Sequence, residues 1–227
     1  MAQQEPTETA GIRERFRTQI RDEVKRAALG QLAAGGPQAL SVNAIAKQLG
    51  VSGPALYRYF AGRDALLTEL VIDAYDDLAQ AVEAALGKAG DTPADRIGEF
   101  VHAYRAWAVE QPHRYRLLYS RPLPGYDAHS ERIVAASQRL MVALLAALPA
   151  DAAAEPPAAL REQLGRWAES RGLDVDAPLA RRAIQSWARM HGLVSLEIEG
   201  NFGSMGLDPA PFYDAEIEAL LRPAAGA

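Results

Sequence analysis

Cysteine is absent from the 227-residue chain. That removes disulfides, thiolate metal sites and cysteine nucleophiles, and it suits a reducing compartment. The opening "MAQQEPTETAG" is polar and carries Glu5 and Glu8, so no secretory leader is expected in it. Long apolar runs are absent as well. The longest, Leu140 to Ala150, is too short to span a bilayer. These absences together predict a soluble, cytoplasmic protein with no membrane partner.

Catalytic and metal-binding signatures are equally scarce. His102, His113, His129 and His191 show no metal-ligand spacing, and no Gly-X-Ser-X-Gly elbow occurs. "GNFGSMG" (200–206) lacks the Lys-Ser/Thr and the preceding strand of a phosphate loop. The sequence therefore predicts no enzyme, no cofactor and no metal.

What the chain does have is charge asymmetry. The net charge of −5 argues against a polyanionic partner until it is divided along the chain. Residues 11–63 hold nine Lys/Arg against three acids, an excess of six positive charges. Residues 71–227 hold 15 basic and 22 acidic side chains, an excess of seven negative charges. A basic head on an acidic body points to an anionic partner for one end only.

Nearly every periodic stretch recurs at helical spacing, which predicts an all-α protein. From about Arg13 to Ala34, Phe16, Ile20, Val24, Ala27, Ala28 and Leu32 form one stripe. Ser41 is a natural N-cap for a second helix, with Val42, Ile45, Ala46 and Leu49 at i, i+3, i+4 and i+7. Gly50 ends it, and Ser52 with Pro54 opens a third, on which Leu56 and Phe60 face inward. A long helix is expected from Asp64 to about Leu86. Further helices are expected at 94–110, 112–120, 128–148, 157–171, 178–199 and 209–222, with breaks at Pro122–Gly125, Arg171–Gly172 and Gly200–Gly206 and a surface loop with a weak helix start at 149–159.

Two short helices about a glycine turn make a helix-turn-helix. The layout is geometric in origin: a major groove about 12 Å wide admits one helix, and a neighbouring helix must hold it there. Gly53, Pro54 and Ala55 are small enough to bring backbone close to base edges. Tyr57 and Tyr59 offer hydroxyls to phosphates, and Arg58 can reach a base or the backbone. Arg63 and Lys47 add positive charge. Ser41 and Asn43 stand at a helix N-terminus whose dipole favours an anion. An ordinary turn in a helical bundle is the competing reading, but Tyr57, Arg58 and Tyr59 cannot all face one core.

The stretch "ALSVNAIAKQLGVSGPALYRYFAGRDALL" (39–67) resembles the DNA-binding signature of tetracycline-repressor-type (TetR) regulators. It departs from that pattern at Tyr59, where His is more common, and at Asn43, where many relatives carry a basic residue. The resemblance implies DNA contacts through Ser41, Ser52, Pro54, Ala55, Tyr57, Tyr59 and Arg63. It further implies a homodimer on an approximately palindromic double-stranded operator, and a C-terminal domain that binds a small-molecule effector. "SWARMHGLVSLEIEGNF" (186–202) and "WAVEQPHRYRLLYS" (107–120) resemble a Trp…His-Gly subclass of such C-terminal domains.

The expected organisation is a disordered tail (1–12), a three-helix helix-turn-helix head (13–66) and a helical regulatory and dimerisation bundle (67–227). Candidate pocket residues are His102, Tyr104, Trp107, Tyr115, Tyr119 and Met141, together with Trp187 and His191. Aromatic stripes on helices usually just pack, so this set could equally fill a core. Candidate dimer-face residues are Leu160, Leu164 and Trp167 on one helix and Ile184, Trp187, Ala188 and Leu193 on another. The expected function is a repressor that ligand releases from DNA. An activator or ligand-independent regulator of the same fold is the alternative, as is a helical interaction protein that does not bind DNA.

Overall fold

The computed structural model describes residues 6–119, 126–149 and 155–222, with side chains described from residue 14. The expected break at Pro122–Gly125 and part of the expected loop at 149–159 lie outside the described residues. So do the first five residues of the expected tail. The described residues form helices joined by turns and loops, with no β-strand among them. The helices are α1 (Pro6–Gly35), α2 (Val42–Gln48), α3 (Gly53–Tyr57), α4 (Arg63–Leu86), α5 (Pro93–Glu110), α6 (Pro112–Tyr119) and α7 (Glu131–Ala147). They continue with α8 (Ala158–Ser170), α9 (Ala177–Ile198), α10 (Asn201–Ser204) and α11 (Ala210–Leu221).

The chain folds into two compact units. One comprises the residues up to Ala74 together with His113–Ser130; the other comprises Tyr75–Pro112 and the chain from Glu131 onward. In the first unit Val24, Ala28 and Leu32 of α1 are buried, as are Val42, Ile45 and Ala46 of α2, Leu56 of α3 and Leu66, Leu67 and Leu70 of α4. The division does not follow a single cut after residue 66. Arg114 donates from Nη2 to the Asp73 carbonyl oxygen (3.1 Å), and the Thr68 and Tyr126 hydroxyls lie 3.1 Å apart. Such partners, 41 and 58 residues apart, leave no periodic trace in a sequence.

In the second unit α5 packs against α7, α9 and α11, and α8 packs on α9. Its interior holds Ile97, Phe100, Tyr104 and Trp107 of α5, Leu140 and Leu144 of α7, and Met190 and Val194 of α9. Phe202 of α10 is buried against Phe212 of α11, with ring centroids 5.1 Å apart.

Three expectations are corrected. Phe16 is 60% exposed rather than part of the α1 core stripe, which is half-buried at Ile20 and reaches buried residues only from Val24 onward. A short helix, α10, occupies the Gly200–Gly206 break. It starts after Gly200 in the left-handed region (φ 75°) and is too short for periodicity to reveal. Helix also begins at Pro6, inside the segment read as a tail.

Candidate nucleic-acid interface

The α2–α3 pair owes its shape to local chemistry. Ser41 Oγ accepts from the Ala44 backbone N–H (3.3 Å), and the Ser41 N–H donates to Gln31 Oε1 on α1 (2.8 Å). At the other end Gly50 sits at φ 68°, the Val51 N–H donates to the Ala46 carbonyl (3.0 Å) and the Gly50 N–H to the Lys47 carbonyl (3.3 Å). This is a Schellman closure, which needs a residue in the left-handed region. The helix therefore stops at the glycine, and the chain turns into α3. Gly50→Ala should destabilise the unit by about 1 kcal/mol, since a Cβ disfavours positive φ. Urea unfolding of wild type and variant side by side checks this; equal midpoints would remove the turn's conformational demand.

Ser52 opens α3, its Oγ accepting from the Ala55 N–H (3.3 Å). A serine oxygen that accepts a cap bond keeps its own proton for another acceptor. Leu56 anchors the helix at 1% exposure. Around it Ser52, Pro54, Tyr57 and Arg58 are exposed, while Gly53, Ala55 and Tyr59 are half-exposed. On α2, Asn43 and Lys47 are exposed and Ser41 is half-exposed. A Cβ built on Gly53 would lie 3.4 Å from Asn43 Oδ1, so the start of α3 is close against α2. The structure thus gathers on one helix-turn-helix the residues singled out by sequence, except Arg63, which opens α4.

Tertiary structure also sorts the basic side chains. Arg21 pairs with Glu69 (2.9 Å), and Lys25 with Asp73 (2.7 Å). The Arg63 Nη2 donates to the Pro37 carbonyl oxygen (2.6 Å), which ties the start of α4 to the link between α1 and α2. Its Nε is buried with no partner among the described residues. Lys47 and Arg58 stay at the surface with no ion pair described for them.

The other two predicted groups are placed less uniformly. His102 is exposed, while Tyr104 is fully buried and Trp107 is 6% exposed, so these three α5 residues do not converge. Tyr104 stacks on Phe100 with ring centroids 6.4 Å apart, and Trp107 Nε1 donates to Asp77 (2.8 Å). They pack the second unit. Tyr115 and Tyr119 belong to the first unit, with ring centroids 4.8 Å apart. Met141 is half-buried. Trp187 and His191 are half-buried and stacked at 6.0 Å, and burial pushes the His191 imidazole below its ordinary pKa. Of the predicted dimer-face residues, Leu164 is buried within its own chain. Leu160, Trp167, Ile184, Trp187 and Leu193 are half-exposed, and Ala188 is exposed.

Sequence reasoning did not find the polar cluster that joins α5, α9 and α11. Arg105 makes a two-pronged bond to Glu197, Nε to Oε2 at 3.0 Å and Nη2 to Oε1 at 2.7 Å. Tyr213 donates to Glu197 Oε2 (2.8 Å), and the Arg105 guanidinium lies 4.6 Å from the Tyr213 ring centroid. With Arg105 and Glu197 separated by 92 positions in sequence, no local pattern could have signalled it.

Comparison with known proteins agrees with this geometry. Residues 26–70 match the family model described as bacterial regulatory proteins, tetR family, and residues 97–220 match a tetracyclin repressor-like C-terminal domain. An HTH-type transcriptional regulator of Mycobacterium tuberculosis is 34% identical over 224 residues, covering 93% of this chain and 94% of that protein. The crystal structure of a regulatory protein, SCO4313, superposes with a TM-score of 0.77 at 39% identity, over 92% of this chain and 98% of that one. The TetR family transcriptional regulator PfmR from Thermus thermophilus shares the fold, with a TM-score of 0.56 at 18% identity over 88% of this chain and 97% of its own.

Proposed function

The chain belongs to the tetR family of bacterial regulatory proteins, and on that premise we propose that it is a homodimeric repressor released from an approximately palindromic operator by a small molecule. That it is a DNA-binding transcriptional regulator follows from its family. The finer reading rests on one observation: α3 buries Leu56 and turns Pro54, Tyr57 and Arg58 outward, beside the exposed Asn43 and Lys47 of α2.

In this reading α3 enters the major groove. Pro54 and Ala55 bring backbone close to base edges, and Arg58 reads a base. Ser41, Asn43, Lys47, Ser52, Tyr57 and Tyr59 hold phosphates. Arg63, with Nη2 committed to Pro37 and Nε buried, has its Nη1 for the backbone. Two copies related by a dyad place their α3 helices about 34 Å apart or a multiple of it, which is why the operator is palindromic.

The half-exposed Leu160, Trp167, Ile184 and Trp187 supply apolar area for dimerisation through α8 and α9. Effector binding in the C-terminal domain favours a different head spacing, and α4, which contributes residues to both units, is the element that carries the change. A nearly complete switch requires about 5.5 kcal/mol of differential affinity.

The test combines three measurements on the full chain. Sedimentation at micromolar concentration should give a dimer. Footprinting on DNA flanking its own gene should protect two half-sites related by a dyad. Adding a metabolite mixture should release that DNA. A monomer, or a single unpaired footprint, would overturn the dimeric reading; DNA that no metabolite releases would overturn the effector.

A further inference from the structure

We propose that Arg21 is a positioning residue for DNA reading: from α1 it fixes the C-terminal end of α3 and so aims Tyr57 and Arg58, without touching DNA itself. The inference rests on the reading of α3 as the helix that enters the groove.

By sequence, Arg21 is one of nine cations in the basic head. The structure withdraws it from that pool. Its Nη1 donates to the Tyr59 carbonyl oxygen (3.0 Å), just beyond the end of α3. Its Nη2 donates to Glu69 Oε2 on α4 (2.9 Å), and the guanidinium carbon lies 4.7 Å from the centroid of the Phe60 ring. Phe60 is 3% exposed. One side chain thus ties α1, the end of α3 and α4 together.

The need for such a tether follows from the length of α3. Five residues are too few for a helix to hold its own geometry, and beyond Tyr57 it is continued only by turn bonds, from the Arg58 N–H to the Ala55 carbonyl (3.3 Å) and from the Tyr59 and Phe60 N–H groups to the Leu56 carbonyl (2.9 and 3.2 Å). A left-handed glycine cap is not used here either, since the residue after the C-cap Arg58 is Tyr59 rather than a glycine. The N-terminal end is held by the Ser52 cap and by Asn43 close against Gly53, and the middle by Leu56. The end that carries Tyr57 and Arg58 is tied to the neighbouring helices by the buried Phe60 and by Arg21, whose bond reaches the Tyr59 carbonyl. A guanidinium there also complements the negative end of the helix dipole. The fork serves a carbonyl, a carboxylate and a ring face at once, which a lysine ammonium cannot do.

Positioning and phosphate contact differ in a measurable way. Removing a phosphate contact weakens all DNA alike and lowers the salt slope by about 0.9. Removing a tether weakens the chosen sequence only. The probes are a duplex selected from a random-sequence library by the wild-type protein and a scrambled duplex of equal length, both followed by fluorescence anisotropy across a salt series.

Arg21→Met and Arg21→Lys should each raise Kd for the selected duplex about tenfold, as expected for one charge-assisted bond, while Kd for the scrambled duplex stays within about twofold. The salt slope should hold. Full rescue by Arg21→Lys, with Arg21→Met losing slope and scrambled binding together, would make Arg21 a phosphate contact and overturn the proposal. Glu69→Gln loosens the tether from its other end and should reduce the preference for the selected duplex about threefold, which keeps the test open should Arg21→Met fail to fold.

Tyr57→Ala runs in parallel. If it weakens binding while every Arg21 and Glu69 variant keeps wild-type preference, positioning is wrong and the reading of α3 stands. If Tyr57→Ala is also without effect, the reading of α3 falls and takes the proposal with it.

Discussion

Tyr57→Glu should weaken binding to the selected duplex by at least about 100-fold, the equivalent of roughly 3 kcal/mol, while leaving the fold intact. Tyr57 is 47% exposed, so the substitution removes little packing. On the proposed interface its hydroxyl faces a phosphate, and a carboxylate there exchanges one hydrogen bond for like-charge repulsion. Tyr57→Phe separates the two components: it loses only the hydroxyl and should cost about tenfold or less. Anisotropy titrations with circular dichroism as the folding control settle the matter. Wild-type affinity in a folded Tyr57→Glu protein would put α3 outside the groove.

Arg105→Met should destabilise the second unit by about 3 kcal/mol, because it strands Glu197 at 14% side-chain exposure. The Tyr213 hydroxyl alone cannot replace a two-pronged guanidinium. Arg105→Met combined with Glu197→Leu should recover most of the loss, since neither charge is then buried without its partner. A single variant as stable as wild type in urea unfolding would show that the cluster is incidental.

The same cluster sets a pH dependence. Burial pushes the Glu197 carboxyl up, but the bonds from Arg105 and Tyr213 outweigh it and hold the group below its ordinary value of 4.5. A carboxylate with a depressed folded pKa contributes stability that is present above that ordinary value and lost as pH falls through the folded one. The stability gap between wild type and Arg105→Met should therefore be full near neutrality and shrink below about pH 4.5. A gap that widens on acidification would contradict the assignment of the charge to Glu197.

The helix-turn-helix was legible because its determinants are local. Ser41, Gly50, Ser52 and Pro54 act on backbone within five residues of themselves, so caps and turn could be read from order alone. The helices of the second unit were legible for the same reason, through apolar spacing. Periodicity says only that a face is apolar, and so it could not tell a lining residue from a filling one. Tyr104 and Trp107, candidates for a pocket, are buried, His102 on the same helix is exposed, and Phe16 looked like core and is exposed.

Sequence by itself determined the all-α class, the α2–α3 turn, the exposed Tyr57 and Arg58, and the family. Tertiary structure alone decided which charges are available. Counting gave the head six positive charges in excess, but Glu69 and Asp73 of α4 neutralise Arg21 and Lys25 from 48 residues away. It also decided that His113–Ser130 joins the first unit and that α11 is held to α5 and α9 through Glu197. The physical reason is shared. Caps, turns and periodicity act over one or two helical turns, whereas an ion pair or a side chain bonded to a distant carbonyl exists only once folding has brought its two ends together.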